Sequence, residues 1–211
     1  MNLKEHIAII EDFPIKGISF KDITLDKYKE LDKETKFDLL QSTWDEIAKV
    51  VKDILLDRYY KVCKRTADDF PTNSSYHLWC KDFKGDLEEV FKHGTLSLGF
   101  IGLSEAIEVI TGTKYYSDID NYIMTLCFVK HMRDYCDFLK NEYKLNFSLL
   151  ATSGELISGR FIESDKLQYT SNVDIFNKGY YTNSFEKAYR YQGRILTVSE
   201  LCSDLYYGIL Q

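Results

Sequence analysis

The sequence predicts an α/β or α+β fold in which two long helices pack on a small sheet. Apolar residues recur in steps of three and four over about 33–65 and again over about 117–143, as on one face of an amphipathic helix. Two compact apolar runs, 96–101 and 145–151, have the length and composition of buried strands. Helix and strand alternate along the chain, and this order favours a layered α/β arrangement.

The side chains on the inner face of each long helix follow from the same spacing. For the first helix we expect Phe37, Leu40, Trp44, Ile47, Val51, Ile54 and Leu55 to be buried, and Asp45 and Lys52 to lie on the solvent face. For the second helix the expected inner residues are Ile119, Ile123, Leu126, Cys127 and Met132.

Shorter elements connect these pieces. The segment 17–20 has the composition of a strand, and 66–75, which is polar and contains Pro71, is predicted to be a loop. Short helices are predicted at 86–92 and 104–110, and the second of these should stop at Gly112.

Length and composition limit the class of protein. The 211 residues fit one domain, 1–211, in which 1–24 could form a distinct N-terminal segment. The net charge of -6 argues against a nucleic-acid surface, and no run approaches the roughly 20 apolar residues that cross a bilayer. The first residues do not have the pattern of a signal peptide.

The cysteine pattern indicates reduced thiols. Five cysteines are present, an odd number, and none is spaced as C-x-x-C, so we expect a cytoplasmic protein without a zinc site. Cys127 and Cys136 fall in the second helical pattern, where small buried hydrophobic side chains are the expected interpretation.

One turn has the composition of an anion site. Thr152, Ser153, Gly154 and Glu155 follow a predicted buried strand and precede Gly159 and Arg160. A glycine- and serine-rich turn after a strand presents backbone N–H groups to an anion, and an arginine adds a charged donor. An ordinary surface turn explains the same residues.

Other polar and glycine positions are candidates on weaker grounds. His93 and Gly94 lie at a predicted helix-to-strand junction, where a capping or packed imidazole is the plainer interpretation. Gly99 and Gly102 indicate a close backbone approach, either inside a barrel or against a ligand. The segment 181–184 offers hydroxyl and amide groups at a predicted strand end.

Four blocks of sequence together resemble one enzyme family. They are His-Gly-Thr-Leu-Ser-Leu-Gly-Phe-Ile-Gly-Leu at 93–103, Leu-Asn-Phe-Ser-Leu-Leu-Ala-Thr at 145–152, Ser-Gly-Arg-Phe at 158–161 and Tyr-Tyr-Thr-Asn-Ser-Phe at 180–185. In this order they resemble anaerobic (class III) ribonucleoside-triphosphate reductase, a glycyl-radical enzyme. The resemblance covers roughly 17–200 and is dense between 91 and 185.

The resemblance implies both a fold and a site. The family's catalytic domain is a ten-stranded α/β barrel, and this chain resembles a fragment from the second half of that barrel. The substrate- or phosphate-binding residues that the resemblance implies are Thr152, Ser153, Gly154, Glu155, Gly159, Arg160, Asn183, Ser184, His93 and Gly94.

The same resemblance shows departures from the family's pattern. The phosphate loop, Thr-Pro-Ala-Glu-Gly in the family, has Ser153 and Gly154 in place of Pro and Ala, and His-His-Gly-Glu-Ser is replaced by the residues at 114–118. The sequence contains no finger-loop cysteine before Gly17, no glycyl-radical segment, no four-cysteine zinc site and no ATP cone. We therefore expect no catalytic residue, no metal and no cofactor in this chain, and no reductase activity from it alone.

Three hypotheses remain open for its role. The chain could act by binding a partner protein, could be an inactive relic, or could be one piece of a split reductase that is active only when complemented. A half-barrel leaves two open strand edges, so we expect a homo-oligomer or a complex with a second protein, such as an intact reductase or a complementing fragment. Weak nucleotide binding is also expected.

The first 24 residues also resemble the start of adenine phosphoribosyltransferase. That enzyme needs an acidic pair in a Gly- and Thr-rich loop, whereas here Asp68 and Asp69 are followed by Phe70 and Pro71. Transferase activity is therefore not expected, and a shared start or a recombination junction explains the match better.

Overall fold

The computed structural model describes residues 25–78, 87–168, 173–182, 187–191 and 194–197. The chain divides into two compact units, Met1–Lys52 and Asp53–Gln211. The strand predicted at 17–20 and the distinct segment 1–24 lie outside the described residues. The predicted domain organisation therefore stays a prediction.

The first long helix forms where the sequence predicts it. Helix α1 (Leu25–Glu30) leads into α2 (Lys33–Cys63), which has 31 residues. Asp32 precedes α2, and its Oδ1 accepts a hydrogen bond from the backbone N–H of Thr35 at 2.7 Å. That bond lowers the pKa of the Asp32 carboxyl. A carboxylate at this position satisfies an N–H group that the helix itself leaves without an acceptor, so it fixes the start of α2.

The predicted inner face of α2 is wrong. Ile47 and Ile54, both expected to be buried, are 57% and 47% exposed. The buried stripe includes polar side chains that the sequence assigns to solvent: Leu39, Ser42, Asp45, Ala48, Lys52, Leu56 and Tyr59. Apolar residues occur around much of this helix, so their spacing does not specify which face becomes covered. A lysine can also bury its long aliphatic stem.

The segment predicted as a loop at 66–75 contains two short helical turns. They are a 3-10 helix (Ala67–Asp69) and α3 (Pro71–Ser75). The N–H of Thr66 donates to Oδ2 of Asp69 at 2.9 Å, and Pro71 lies in the first turn of α3, where its missing N–H is tolerated. The loop prediction was wrong because proline and small polar residues mark helix starts as well as loops.

Two parallel strands form the sheet that positions the candidate site. After α4 (Leu87–Phe91) come strand β1 (Thr95–Phe100) and helix α5 (Leu103–Thr111). Helix α6 (Ile119–Tyr143) then leads to strand β2 (Asn146–Ala151). The two strands pair in parallel from Thr95 opposite Asn146 to Phe100 opposite Ala151, and α6 packs on β2. Parallel strands need such a crossover, and here α5 and α6 supply it.

Sequence signals mark the end of α5 and the start of α6. Gly112 follows α5 with φ +75°, and its N–H donates to the carbonyl of Glu108 at 2.8 Å. Asp118 caps α6, because its carboxylate accepts the N–H of Asn121 at 2.8 Å. The stop predicted at Gly112 is thus confirmed, and it depends on the left-handed conformation that glycine adopts easily.

The inner face predicted for α6 is only partly correct. Leu126 and Met132 are buried, whereas Ile119, Ile123 and Cys127 are exposed. The buried residues of α6 include more large and polar side chains than predicted: Asn121, Tyr122, Thr125, Leu126, Phe128, Val129, Met132, Tyr135, Cys136 and Leu139. Cys136 is buried as expected, and Cys127 is not.

The remaining elements follow β2. They are α7 (Glu155–Gln168), α8 (Val173–Asn177) and an antiparallel pair of strands, β3 (Lys187–Tyr191) and β4 (Arg194–Thr197). Tyr181 and Thr182 were predicted at a strand end, but they lie in irregular chain after α8. No helix within the described segments is both long and apolar enough to span a bilayer.

The fold is therefore a helix-dominated α/β arrangement, and the strands predicted at 96–101 and 145–151 lie in one small sheet as β1 and β2. Membership of a half-barrel stays a prediction.

Candidate functional site

The turn after β2 lies at the carboxyl end of the parallel pair. The N–H of Thr152 donates to the carbonyl of Phe100 at 3.1 Å, which extends the pairing one residue beyond the two strands. A Cβ at Gly99 would collide with Oγ1 of Thr152, and a Cβ at Gly154 would have room, with its nearest atom in Thr152 at 3.6 Å. The close approach predicted at Gly99 is thus made by the chain's own Thr152.

Helix α7 begins at the end of this turn. The N–H of Ser158 donates to the carbonyl of Gly154 at 2.9 Å, so the N–H groups of 155–157 have no acceptor within the helix. These N–H groups and the helix dipole together make an environment that favours an anion. Ser153, in the turn, and Arg160, in the second turn of α7, are both exposed.

A second segment, 178–182, lies against both helices that follow the strands. The N–H of Gly102, at the start of α5, donates to the carbonyl of Thr182 at 2.9 Å, and the N–H of Tyr181 donates to the carbonyl of Ser158 in α7 at 3.3 Å. Gly102 has φ +82°, and a Cβ there would meet the ring of Tyr181 at 3.5 Å. The close approach predicted at Gly102 is therefore made by a tyrosine side chain.

Buried charge holds this segment in place. Glu105 is 6% exposed, and its Oε1 accepts hydrogen bonds from the Thr182 hydroxyl at 2.6 Å and from Lys178 Nζ at 3.1 Å. Its Oε2 accepts the N–H of Thr182 at 3.1 Å. Lys178 Nζ also donates to Oγ1 of Thr182 at 2.9 Å and lies 4.8 Å from the centre of the Tyr180 ring. On the other side, the Tyr181 hydroxyl donates to Oδ2 of Asp165 at 2.5 Å.

The structure brings together most of the described residues that the sequence singles out. Thr152, Ser153 and Gly154 form the turn, and Glu155, Gly159 and Arg160 belong to α7. A Cβ at Gly159 would lie 3.8 Å from the carbonyl oxygen of Gly179, so α7 and the segment 178–182 approach closely there. Asn183 and Ser184 lie outside the described residues.

His93 and Gly94 are at the opposite end of the sheet. Both precede β1, whereas the turn at Thr152 lies beyond the carboxyl ends of the two strands. Six residues of strand separate the two places, a distance of about 20 Å at the usual rise per residue. His93 and Gly94 therefore do not join the other candidates.

Sequence reasoning missed Glu105, Lys178 and Asp165. An acid in the first turn of a helix is ordinarily explained by the helix dipole, so nothing in the sequence marked Glu105 as a residue of the site. Its partner Thr182 lies 77 residues away, a separation that no local pattern specifies. Among the described residues, no three His, Cys, Asp or Glu side chains are grouped so as to hold a metal ion.

One family model matches most of this chain, and the similar known proteins match about half of it or less. Residues 22–205 match the family model described as anaerobic ribonucleoside-triphosphate reductase. The anaerobic ribonucleoside-triphosphate reductases of Salmonella typhimurium and Escherichia coli are each 34% identical over 103 residues, which are 47% of this chain and 14% of the relative. The phage T4 protein of the same name is 34% identical over 102 residues, 47% of this chain and 15% of the relative.

The second resemblance is also confirmed. An adenine phosphoribosyltransferase of Clostridium botulinum is 45% identical over 58 residues, which are 28% of this chain and 30% of the transferase. That match covers a minor part of the chain, whereas the reductase model covers most of it. The chain belongs to the anaerobic ribonucleoside-triphosphate reductase family.

Proposed function

We propose that this chain is a nucleotide-binding fragment of the reductase family that has no reductase activity by itself and acts through association with another polypeptide chain. One observation carries the proposal: the turn at 152–154, the start of α7 and the segment 178–182 meet at the carboxyl ends of the parallel strands. Ligands of α/β sheets bind at that end of the strands. The family relatives, by name, act on ribonucleoside triphosphates.

The phosphates of the nucleotide would bind at the start of α7. Arg160 lies five residues after Glu155, about 7.5 Å along the helix axis. Side chains of a helix lean toward its amino end, so the guanidinium can extend back toward the leading N–H groups. The turn is exposed to solvent at Ser153, and Arg160 is the single cation that we assign to it. We therefore expect only millimolar affinity, about -4 kcal/mol.

Titration of the purified chain with ATP, followed by phosphorus NMR, tests this site. We expect saturable millimolar binding that Arg160→Ala weakens at least about fivefold, because a charged donor is lost. Lys166→Ala is the matched control, since it also removes a positive charge from an exposed position of α7. Lys166 is about 16 Å along the axis from the start of the helix, too far to take part. No saturable binding, or equal loss in both variants, would refute the site.

The connection between α5 and α6 supports the absence of catalysis. In this connection, residues 114–118 replace the family's His-His-Gly-Glu-Ser. Here Lys114 pairs with Glu108, Tyr115 is 3% exposed with its ring edge-on to Tyr116 at 5.2 Å, and Asp118 caps α6. These side chains stabilise the connection, so we propose that they contribute packing and helix capping instead of substrate chemistry.

Exposed apolar side chains near the site support association. The α7 surface comprises Leu150, Leu156, Ile157, Phe161 and Leu167, which are 48–88% exposed. Parallel strands normally have neighbours on both edges and cover on both faces, and β1 and β2 are paired only with each other among the described strands. We propose that a second copy of the chain covers this surface when no other family polypeptide is present.

Light scattering after size exclusion tests the association. We expect a dimer of the 24.7 kDa chain that persists when salt is raised, because apolar contacts are not screened. Leu156→Glu should shift it to monomer, whereas Leu78→Glu, at a leucine 64% exposed outside the α7 surface, should not. A wild-type monomer at both salt concentrations would refute self-association.

A further inference from the structure

The hydrogen bonds of Thr182 are arranged in an unusual way. Its N–H, hydroxyl and carbonyl all bond to groups at the start of α5: the first two to Glu105, the third to Gly102. Gly102 is the capping residue of α5, and Glu105 is the third residue of that helix. In a capping box the carboxylate of Glu105 would accept the N–H of Gly102. Here the Glu105 carboxylate and the Gly102 N–H both bond to Thr182 instead, so a distant segment supplies the hydrogen-bond partners at the start of α5.

We propose that Glu105 is a positioning residue for the nucleotide site, holding the segment 178–182 across the carboxyl ends of β1 and β2. This inference rests on the nucleotide-binding function proposed above. Thr182 is held at the start of α5, which follows β1, and Tyr181 is held by α7, which follows β2.

The charge of Glu105 is what makes the contact strong. Burying a carboxylate is costly unless it is paired and hydrogen-bonded, and Glu105 is only 6% exposed. Lys178 supplies the opposite charge and Thr182 supplies two donors. Hydrogen bonds to an ionised acceptor are roughly twice as strong as neutral ones. A glutamine at this position keeps the shape but removes the charge that Lys178 faces.

The same segment is fixed from its other side by α7. The hydroxyl of Tyr181 bonds to Asp165, and its N–H bonds to the carbonyl of Ser158. Ser158 is one turn after Gly154, whose carbonyl accepts its N–H. The segment therefore links the start of α5 to the first turns of α7, where the phosphates are proposed to bind. A substitution at Glu105 should therefore change the affinity of the phosphate site through this link.

Glu105→Gln and a matched control test the inference. Glu108→Gln makes the same substitution in the same helix at an acid that also pairs with a lysine, Lys114. We expect Glu105→Gln to weaken ATP binding about tenfold or more, the effect of losing one charged hydrogen bond, and Glu108→Gln to change it less than about twofold. Chymotrypsin cleavage after Tyr180 gives a second readout, local to the segment.

The cleavage readout separates positioning from general stability. Bound ATP should slow cleavage after Tyr180 in the wild type and in Glu108→Gln, but not in Glu105→Gln, because linkage between two sites is reciprocal. If the wild type binds ATP and a folded Glu105→Gln binds it equally well, the positioning role is refuted and the nucleotide site stands. If the wild type does not bind ATP, both are refuted.

A second variant decides the matter should Glu105→Gln fail to fold. Lys178→Met removes the opposite charge at a side chain that is 28% exposed and leaves both Glu105–Thr182 hydrogen bonds in place. It should weaken ATP binding at least about threefold. Unchanged affinity in Lys178→Met would overturn the inference.

Discussion

Replacing Gly99 with alanine should destabilise the unit Asp53–Gln211, in which Gly99 lies. A Cβ at this position in β1 would collide with Oγ1 of Thr152, which follows β2. Forcing an extra carbon into a packed site costs about 1–3 kcal/mol. Alanine recovers about 0.5–1 kcal/mol of the backbone entropy that glycine loses on folding. The free energy of unfolding should therefore fall by up to about 2.5 kcal/mol.

Urea unfolding of a double-mutant cycle tests the cause. Thr152→Ala removes Oγ1 and leaves its own Cβ 3.5 Å from the Cβ of an alanine at Gly99, an ordinary contact. In the Thr152→Ala background, Gly99→Ala should therefore cost nothing or stabilise the unit. The coupling between the two substitutions should equal the steric cost, about 1–3 kcal/mol, which exceeds the deviation expected for independent sites.

Gly159→Ala is the matched control for the sign of the effect. A Cβ at Gly159 in α7 would have its nearest neighbour, the carbonyl oxygen of Gly179, at 3.8 Å. With room available, alanine in a helix interior should stabilise by about 1 kcal/mol. If Gly99→Ala raises the urea midpoint as Gly159→Ala does, or if the effects at Gly99 and Thr152 simply add, the close approach of these residues is refuted.

Other predictions concern α6 and catalysis. Asp118→Ala should lower stability by about 1 kcal/mol because it removes the cap on the N–H of Asn121, whereas Asp120→Ala, at an exposed acid in the same turn, should have less than half that effect in the same urea assay. Burial raises the pKa of the Cys136 thiol from 9.0 to about 12, so its thiolate fraction at about pH 8 falls roughly a thousandfold. Cys127→Ser should thus remove one thiol that reacts fast with a disulfide reagent, and Cys136→Ser should remove none; the reverse result would contradict the burial. Electron paramagnetic resonance of the purified chain with an activating enzyme and formate should show no glycyl radical, and a radical signal would refute the proposed lack of reductase activity.

The sequence by itself predicted the two long helices α2 and α6, the short helices α4 and α5 and the strands β1 and β2, but not the helix α7 or the strands β3 and β4. The start of α2, the end of α5 and the start of α6 follow from signals in adjacent residues: Asp32, Gly112 and Asp118. These signals are local: a carboxylate accepts a nearby N–H, and a glycine adopts a positive φ. The family resemblance was likewise present in short contiguous blocks, and the match over residues 22–205 confirms it.

Part of the candidate site was also predictable. The turn at Thr152–Gly154 was identified because a glycine-containing turn directly follows a compact apolar strand, and the structure places it at the carboxyl end of a parallel pair. The close approaches at Gly99 and Gly102 were predicted, but their partners, Thr152 and Tyr181, were not. A glycine indicates that something comes near it, and the sequence does not say what.

Only the tertiary structure decided which helix faces are covered and which distant residues meet. Ile47 and Ile123 are exposed although their spacing predicts burial, because a helix with apolar residues on several sides has no single preferred face until its neighbours are in place. The contact between Glu105 and Thr182 joins residues 77 positions apart. Periodicity is a property of neighbouring residues, whereas a buried carboxylate obtains its partners from whatever segments the fold brings to it, so this part of the site could be found only in three dimensions.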